Sequence, residues 1–176
     1  TPEISMQIQT VLNSDIVMQF DECTPYDTKG HITTESEARL SMELSRRWAS
    51  RCVSEFSRLE NPNALFGIVQ GGRHEDLRRE SAKEIASMDF DGFGIGGSFS
   101  KADMEGALQA AIPELPEEKP RHFLGIGEPG DILAGIAAGV DLFDCVAATR
   151  IGRHGSIYTK RGIVHIRGEK YKNDFS

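Results

Sequence analysis

Short apolar stretches alternate with amphipathic helical patterns along this chain, and this alternation is the feature that most constrains its fold. Five stretches are short and apolar, and most of them end in Gly or are followed by Gly or Asp, which is typical of strands: residues 15–20, 64–70, 92–97, 121–127 and 142–149. Near-continuous apolar strands that are separated by helices predict a parallel sheet with both faces covered and right-handed connections. The sequence therefore predicts an α/β fold with about five βα units.

Helical patterns fill the intervals between these strands, at about residues 1–12, 34–59, 75–88, 101–111 and 131–138. The longest begins at a capping box, Thr34 with Glu37, and Ser100 is predicted to cap the helix that starts at Lys101. In the longest helix, apolar residues recur at spacings of four and three. This stripe is predicted to face the core: Leu40, Leu44, Trp48, Cys52, Phe56 and Leu59.

Two architectures fit such a chain, a doubly wound sheet and a (β/α)8 barrel. Polar or glycine residues follow four of the strands: Asp21, Gln70, Gly96 with Gly97, and Gly125 to Gly127. Their expected convergence on one rim favours the (β/α)8 TIM-barrel family. Five strands cannot close an eight-stranded barrel, so we expect residues 1–176 to form a single partial TIM-barrel domain. Residues 155–167 read as a β-hairpin appendage to it.

The composition narrows the functional class. No apolar run reaches the roughly 20 residues that span a bilayer, and the first residues lack a secretory signal pattern, so we expect a cytoplasmic protein without a membrane partner. The cysteines Cys23, Cys52 and Cys145 are odd in number and scattered. They indicate neither a disulfide framework nor a local metal site, and the histidines show no metal-ligand spacing. His122 in particular reads as a surface or structural residue.

Charge is distributed unevenly along the chain. Residues 1–144 carry 13 basic and 25 acidic side chains, whereas residues 145–173 carry seven basic side chains against Glu169 alone. A basic segment on an acidic body is a candidate phosphate-binding surface, since neutralised phosphates release counterions. The alternative is a solvated β-ribbon whose Lys and Arg side chains protect a sheet edge.

Two carboxylates lie where strands end. Asp21 could accept paired hydrogen bonds from one edge of a purine, or it could cap a turn before Thr24. Asp144 has apolar neighbours that are expected to shield it partly from water, as suits a nucleophile or general base, or it could pair with Arg150. Two carboxylates on one rim suit glycosidic chemistry, which passes through an oxocarbenium-like state.

Glycine-rich segments follow three strands without the spacing of a nucleotide motif. Gly71 with Gly72 and Gly96 with Gly97 could form tight turns, or they could let the backbone approach a flat ligand. The segment 125–131 precedes a helix that could bind phosphate at its N-terminus, although Glu128 and Asp131 oppose an anion there. The segment 149–153 offers two guanidinium groups to base edges and phosphates.

Taken together, these segments closely resemble the tRNA-guanine transglycosylase family, also called queuine tRNA-ribosyltransferases, and more its bacterial type than its archaeal one. The resemblance spans nearly the whole chain, in family order, and rests on these segments: 14–18, Phe20-Asp21-Glu22-Cys23-Thr24-Pro25-Tyr26, 64–72, 90–93, 96–97, 125–129, 141–146 and Thr149-Arg150.

The resemblance implies a (β/α)8 barrel that exchanges the wobble guanine of a tRNA anticodon for a 7-deazaguanine in queuosine biosynthesis. It implies that Asp144 is the nucleophile that forms a covalent ester with the ribose. The positions that match the purine-binding set of the family are Asp21, Cys23, Gln70, Gly96 and Gly97. Those that match its tRNA-contacting stretches are Gly125, Ile126, Gly127, Glu128, Pro129, Gly130, Asp131, Thr149, Arg150, Ile151, Gly152 and Arg153. The target nucleotide must leave its stack for this chemistry.

The sequence also departs from the pattern of the family. Gly97-Ser98-Phe99-Ser100 replaces a Gly-Gly-Leu-Ala segment, which alters the pocket wall beside the base, and Ala147-Ala148 replaces an apolar-Pro step. The amino-terminal strands of the family, with a second catalytic Asp, and its structural zinc site of three Cys and a His are expected outside this chain. We therefore expect a fragment of a longer enzyme. A homodimer is one possible assembly.

Two other functional classes are compatible with the residues. A non-catalytic barrel of the same family could bind tRNA or pair with a catalytic subunit. An ordinary metabolic barrel could bind a small phosphorylated molecule at residues 125–131. The first would lack base exchange, and the second would lack salt-dependent affinity for RNA.

Overall fold

In the computed structural model, which describes residues 1–98 and 100–173, the five predicted strand regions form one parallel sheet. The strands of this sheet are β1 (Ile16–Met18), β4 (Ala64–Val69), β5 (Gly92–Ile95), β6 (Arg121–Phe123) and β7 (Leu142–Phe143). Their order is β1-β4-β5-β6-β7, so each new strand is added on the same side of the last. A doubly wound sheet would reverse direction at a switch point. This sequential order fits a portion of a TIM-barrel wall, as predicted.

Six α-helices accompany the strands in the part of the chain that the structure describes. They are α1 (Pro2–Leu12), α2 (Glu35–Arg58), α3 (Glu75–Ala86), α4 (Met104–Ala111), α5 (Pro129–Ala138) and α6 (Ala147–Arg153). The predicted capping box is present: Thr34 Oγ1 accepts from the N–H of Glu37, and Glu37 Oε2 accepts from the N–H of Thr34. This closes the first turn of α2, because two otherwise unpaired backbone donors are satisfied. No helix in the described ranges has both the length and the apolar character needed to cross a bilayer.

Two antiparallel hairpins stand outside the sheet. β2 (Asp27–Thr28) pairs with β3 (His31–Ile32), between β1 and α2. β8 (Ser156–Thr159) pairs with β9 (Gly162–His165), which places the predicted hairpin after α6.

The buried face of α2 differs from the predicted stripe. Leu40 is 68% exposed, and the buried positions are Ala38, Ser41, Met42, Ser45, Ala49, Cys52 and Glu55. Cys52, Phe56 and Leu59 of the predicted stripe do contact the core, whereas the first half of α2 buries mainly small side chains in place of Leu40. Cys52 is fully buried, and this burial raises the pKa of its thiol to about 11, which agrees with a packing role.

Three element boundaries were also predicted wrongly. The strand expected over 121–127 ends at Phe123. The strand expected over 142–149 ends at Phe143, and residues 147–153 form α6, because Ala147 and Ala148 favour a helix as readily as they extend an apolar run. Helix α4 begins at Met104 rather than Lys101. Ser100 and Asp103 bond to each other in the preceding turn, where the Oγ of Ser100 donates to Oδ2 of Asp103 at 2.6 Å. Ser100 is therefore not the N-cap of α4.

The core lies between the sheet and the helices that cover it. Its fully buried aromatic side chains are Phe90, Phe93 and Phe123, and they pack with strand residues Val17, Leu65 and Val69. Burying one such large apolar side chain stabilises the fold by about 1.5–3 kcal/mol. Since the five strands are parallel, the residues that follow them all emerge at one edge, which we call the carboxyl rim.

Candidate functional site

Asp21 and Gln70 meet on the carboxyl rim, after β1 and β4. Nε2 of Gln70 donates to Oδ2 of Asp21 at 2.5 Å, across the two neighbouring strands. Asp21 is half-buried, and burial raises the pKa of its carboxyl, an effect that the Gln70 hydrogen bond partly offsets. Asp21 thus reaches across to the next strand and does not cap a turn at Thr24.

The loop that carries Asp21 is fixed to helix α2. The N–H of Glu22 donates to Oγ of Ser45 at 2.9 Å, and the side chain of Gln19 donates to the carbonyl of Ser45 at 3.0 Å. Gln19 also accepts from the N–H of Ile68 in β4 at 2.9 Å. Short side chains on α2 therefore hold the strand end at which Asp21 leaves the sheet.

Two glycine segments lie beside this pair. Gly96 is buried just past β5, and a Cβ added to it would lie 3.1 Å from Nε2 of Gln70. Gly97 has a φ of +85°, and a Cβ there would lie 3.2 Å from Oε1 of Gln70 and 2.8 Å from Nη2 of Arg78. Protein atoms already occupy the space beside both residues, so only glycine fits at these positions.

Cys23 lies at the exposed edge of the same region. Its Sγ is 3.8 Å from Oγ of Ser98, which connects the loop after β1 with the loop after β5. Of the substituted segment 97–100, Phe99 lies outside the described residues. The structure thus brings together Asp21, Gln70 and Gly97, with Gly96 beneath them and Cys23 at the margin.

Asp144 follows β7 on the same carboxyl rim. Its Oδ1 accepts from Nε2 of His122 at 2.9 Å and from the N–H of Gly125 at 3.0 Å. Among the described residues, Oδ2 has no hydrogen-bond donor. The side chain of Asp144 is 59% exposed, so its apolar neighbours shield it from water only in part, and among the described residues it forms no ion pair with Arg150.

His122 is the residue at this rim that the sequence interpretation missed. It lies in β6, one strand from Asp144, and its side chain is 18% exposed. The sequence does not show how neighbouring strands align, and this alignment decides which residue lies opposite His122. A polar residue in the middle of a short strand must face either solvent or a partner. Here the partner is a carboxylate on the adjacent strand.

The segment 125–131 wraps the end of β6 and begins α5. A Cβ added to Gly127 would lie 2.3 Å from Cβ of Cys145, the residue next to Asp144, so this close approach requires glycine. Glu128 and Asp131 are paired with Lys101 at 3.2 and 3.0 Å. Lys101 therefore neutralises part of the negative charge that opposes an anion at this helix end.

The segment 149–153 forms most of α6 and is largely exposed. Arg150 and Arg153 lie one turn apart, and the carbonyl of Arg153 accepts from the guanidinium of Arg167 at 3.3 Å, which connects α6 to the hairpin. Within residues 1–98 and 100–173, none of the basic side chains of residues 145–173 makes an ion pair: Arg150, Arg153, Lys160, Arg161, Arg167, Lys170 and Lys172. Their charge is available to an external anion.

The zinc that the family resemblance implies has no ligand set in the described part of the chain. No group of three His, Cys, Asp or Glu side chains there is arranged to hold a metal ion.

Comparison with known proteins supports the family resemblance over the full chain. A family model described as queuine tRNA-ribosyltransferase matches residues 1–176. Among proteins that bear this name, the chain is 58% identical to one from Polaromonas sp. (strain JS666 / ATCC BAA-500) and 59% identical to one from Polaromonas naphthalenivorans (strain CJ2), each over 177 residues. A third, from Leptothrix cholodnii, is 55% identical over 181 residues.

These alignments cover 99% of this chain but only 44%, 46% and 46% of the three relatives, so the chain spans less than half of their length. The match nevertheless includes the rim that carries Asp21, Gln70 and Asp144. The chain belongs to the queuine tRNA-ribosyltransferase family.

Proposed function

We propose that this chain supplies the nucleophile, the purine-binding edge and the basic RNA-binding surface of a (β/α)8 transglycosylase. This enzyme would replace the wobble guanine of a tRNA anticodon by a 7-deazaguanine. The observation that carries the proposal is the placement of Asp144 and the Asp21–Gln70 pair on one rim of a parallel sheet. Family membership supports the choice of reaction class.

The geometry of Asp144 suits attack by one defined oxygen. His122 and the N–H of Gly125 both hold Oδ1, which orients the carboxylate and leaves Oδ2 as the nucleophile. Oδ2 would donate a lone pair to C1′ of the ribose, and the bond from C1′ to N9 of guanine would break with its electron pair. Guanine then takes a proton from solvent.

The second step reverses the first with a different base. The incoming 7-deazaguanine gives up a proton, its ring nitrogen attacks C1′, and the ester bond to Oδ2 breaks to restore the carboxylate. One proton is taken up and one is released over the two steps, so the exchange involves no net change in protons. Two displacements at C1′ retain its configuration.

Asp21 and its neighbours would recognise the base. The carboxylate of Asp21 would accept from the N1–H and N2–H of guanine, while the N–H of Gly97 and the second amide N–H of Gln70, whose first bonds to Asp21, would donate to its carbonyl oxygen. The basic segment 145–173 would bind the phosphates of the anticodon arm, since its charges are not compensated by other described residues.

Covalent trapping tests this proposal directly. The whole gene product that contains residues 1–176 is incubated with an anticodon stem-loop RNA, denatured and analysed for a protein–RNA adduct. We expect an adduct with the wild type and none with Asp144→Asn, which keeps the shape but is a much weaker nucleophile. Asp89→Asn, the same change at an exposed residue before β5, is the matched control.

The outcomes separate the candidate functions. An adduct that persists in Asp144→Asn contradicts the assignment of the nucleophile. RNA binding without an adduct or exchange of labelled guanine would indicate a non-catalytic member of the family. Binding of small phosphorylated molecules without salt-dependent RNA affinity would indicate a metabolic barrel.

A further inference from the structure

Arg78 lies beneath the purine-binding edge and is completely buried. It belongs to α3, and its guanidinium reaches the two glycine segments that follow β4 and β5. Nε donates to the carbonyl of Gly72 at 2.6 Å, and Nη2 donates to the carbonyl of Gly96 at 2.8 Å. One planar cation thus connects two loops of the rim.

The hydrogen bond to Gly96 determines the direction of the next N–H. In a trans peptide the C=O and the following N–H point in opposite directions. Because Arg78 holds the carbonyl of Gly96 on its own side, the N–H of Gly97 points away from the guanidinium of Arg78. Within the described ranges this N–H has no acceptor, so it is available to a ligand.

The burial of Arg78 argues that its role is specific. Burial lowers the pKa of this guanidinium to about 10, which reflects the cost of removing a cation from water. Apolar residues of similar volume often stabilise an interior as well as or better than a buried charge does. A buried arginine that donates to the backbone of two loops is therefore suited to fixing their conformation.

We propose that Arg78 is a positioning residue for purine recognition, which fixes the peptide between Gly96 and Gly97 so that the N–H of Gly97 donates to the carbonyl oxygen of the base. This rests on the proposed function, because it assumes that a purine with a carbonyl group binds at Asp21. Lysine cannot substitute, since a single ammonium on a flexible stem lacks the rigid fork that reaches both carbonyls.

A ligand pair tests this role. 6-Thioguanine keeps the N1–H and N2–H of guanine but replaces its carbonyl oxygen by sulfur, a weaker acceptor. Equilibrium binding of both bases is measured with the whole gene product carrying wild-type, Arg78→Lys or Arg79→Lys sequence. Arg79→Lys is the matched control, because Arg79 is the next residue of α3 and contacts Asp76 and Glu114 at the surface.

We expect the wild type and Arg79→Lys to bind guanine about tenfold more tightly than 6-thioguanine, as the loss of one good hydrogen bond predicts. In Arg78→Lys this preference should disappear, while affinity for 6-thioguanine stays nearly constant. A merely structural role would weaken both ligands equally, and that result would overturn the proposal. If wild-type protein binds neither base, the proposed function fails together with this inference.

A second measurement needs no variant and covers the case in which Arg78→Lys does not fold. In wild-type protein labelled with 15N-glycine, guanine should shift the Gly97 amide proton downfield, and 6-thioguanine should shift it less. An unshifted Gly97 amide in the guanine complex contradicts the proposal. If Asp21→Ala abolishes guanine binding while Gly97 stays unshifted, purine recognition stands and only the role of Arg78 is wrong.

Discussion

His122 in β6 and Asp144 after β7 are joined by a hydrogen bond of 2.9 Å between Nε2 and Oδ1. The adjacent N–H of Gly125 donates to the same oxygen. In the proposed reaction Oδ1 becomes the carbonyl oxygen of an ester, which accepts hydrogen bonds less strongly than a carboxylate does. These two donors therefore stabilise the carboxylate as the leaving group of the second step.

His122→Phe should consequently slow base exchange and raise the fraction of RNA held as ester. We expect each effect to be about tenfold, from the loss of one charge-assisted hydrogen bond. Steady-state exchange of labelled guanine and the adduct yield after denaturation measure the two quantities. His31→Phe, which removes an exposed contact with Glu37, is the control. If the exchange rate and the adduct yield fell together, the role of His122 would be limited to orienting the carboxylate of Asp144.

Asp21→Asn should weaken guanine binding and at the same time stabilise the fold near neutral pH. Since burial raises the pKa of Asp21 above its ordinary 3.8, the native protein holds this proton more tightly than the unfolded chain does. The free energy of unfolding of the wild type therefore falls as pH rises from 3.8 through the raised pKa. Above that window the variant should have the higher melting temperature, by about 2–4 °C per kcal/mol.

Thermal unfolding as a function of pH measures this difference, which should vanish below pH 3.8. Glu37→Gln provides a control of opposite sign, because the N–H and hydroxyl of Thr34 lower the pKa of Glu37 to about 2. The stabilisation that ionised Glu37 gives the wild-type protein is fully present above pH 4.5 and is lost as the pH falls through about 2. Equal melting temperatures of wild type and Asp21→Asn at neutral pH would refute the expectation.

Gly127→Ala should impair both folding and adduct formation. The new Cβ would lie 2.3 Å from Cβ of Cys145, so either the loop or the chain beside Asp144 must move, at a cost of about 1–3 kcal/mol. Gly130→Ala is the matched control for stability, because a Cβ there has no atom within 4 Å and alanine favours the first turn of α5. Urea unfolding and adduct yield are compared, and equal behaviour of the two variants would contradict the packing argument.

Replacing Arg150 and Arg153 by Ala should weaken RNA binding and reduce its dependence on salt. Each lost phosphate contact lowers the slope of log affinity against log salt by about 0.7–0.9. Arg39→Ala, which removes an arginine already paired with Glu80, should leave the slope unchanged. Filter binding of an anticodon stem-loop at several salt concentrations measures the slopes. An unchanged slope in the double variant would exclude α6 from the phosphate contacts.

Much of this architecture follows from local features of the chain. All five sheet strands lie within predicted segments, because short apolar runs that end in Gly or Asp reflect burial of a parallel sheet. The start of α2 is equally local, since the Thr34–Glu37 capping box depends on residues three apart. The residues expected on the carboxyl rim also lie there, because parallel strands bring their carboxyl ends to one edge.

The errors arose where packing outweighs local pattern. Leu40 was predicted to face the core, yet α2 packs through small residues such as Ala49, because they allow the helix close to the sheet. Residues 147–153 became helical because an apolar run rich in alanine fits either secondary structure, and tertiary context chooses between them.

The sequence by itself determined the five sheet strands, the capping box of α2 and the candidate residues at the strand ends, because each depends on neighbours within a few positions. Only the tertiary structure decided that His122 holds Asp144 and that Arg78 lies beneath Gly72 and Gly96. Those contacts depend on strand register and on the direction in which a helix side chain points. The physical reason is that both are set by packing between segments that lie far apart in the chain.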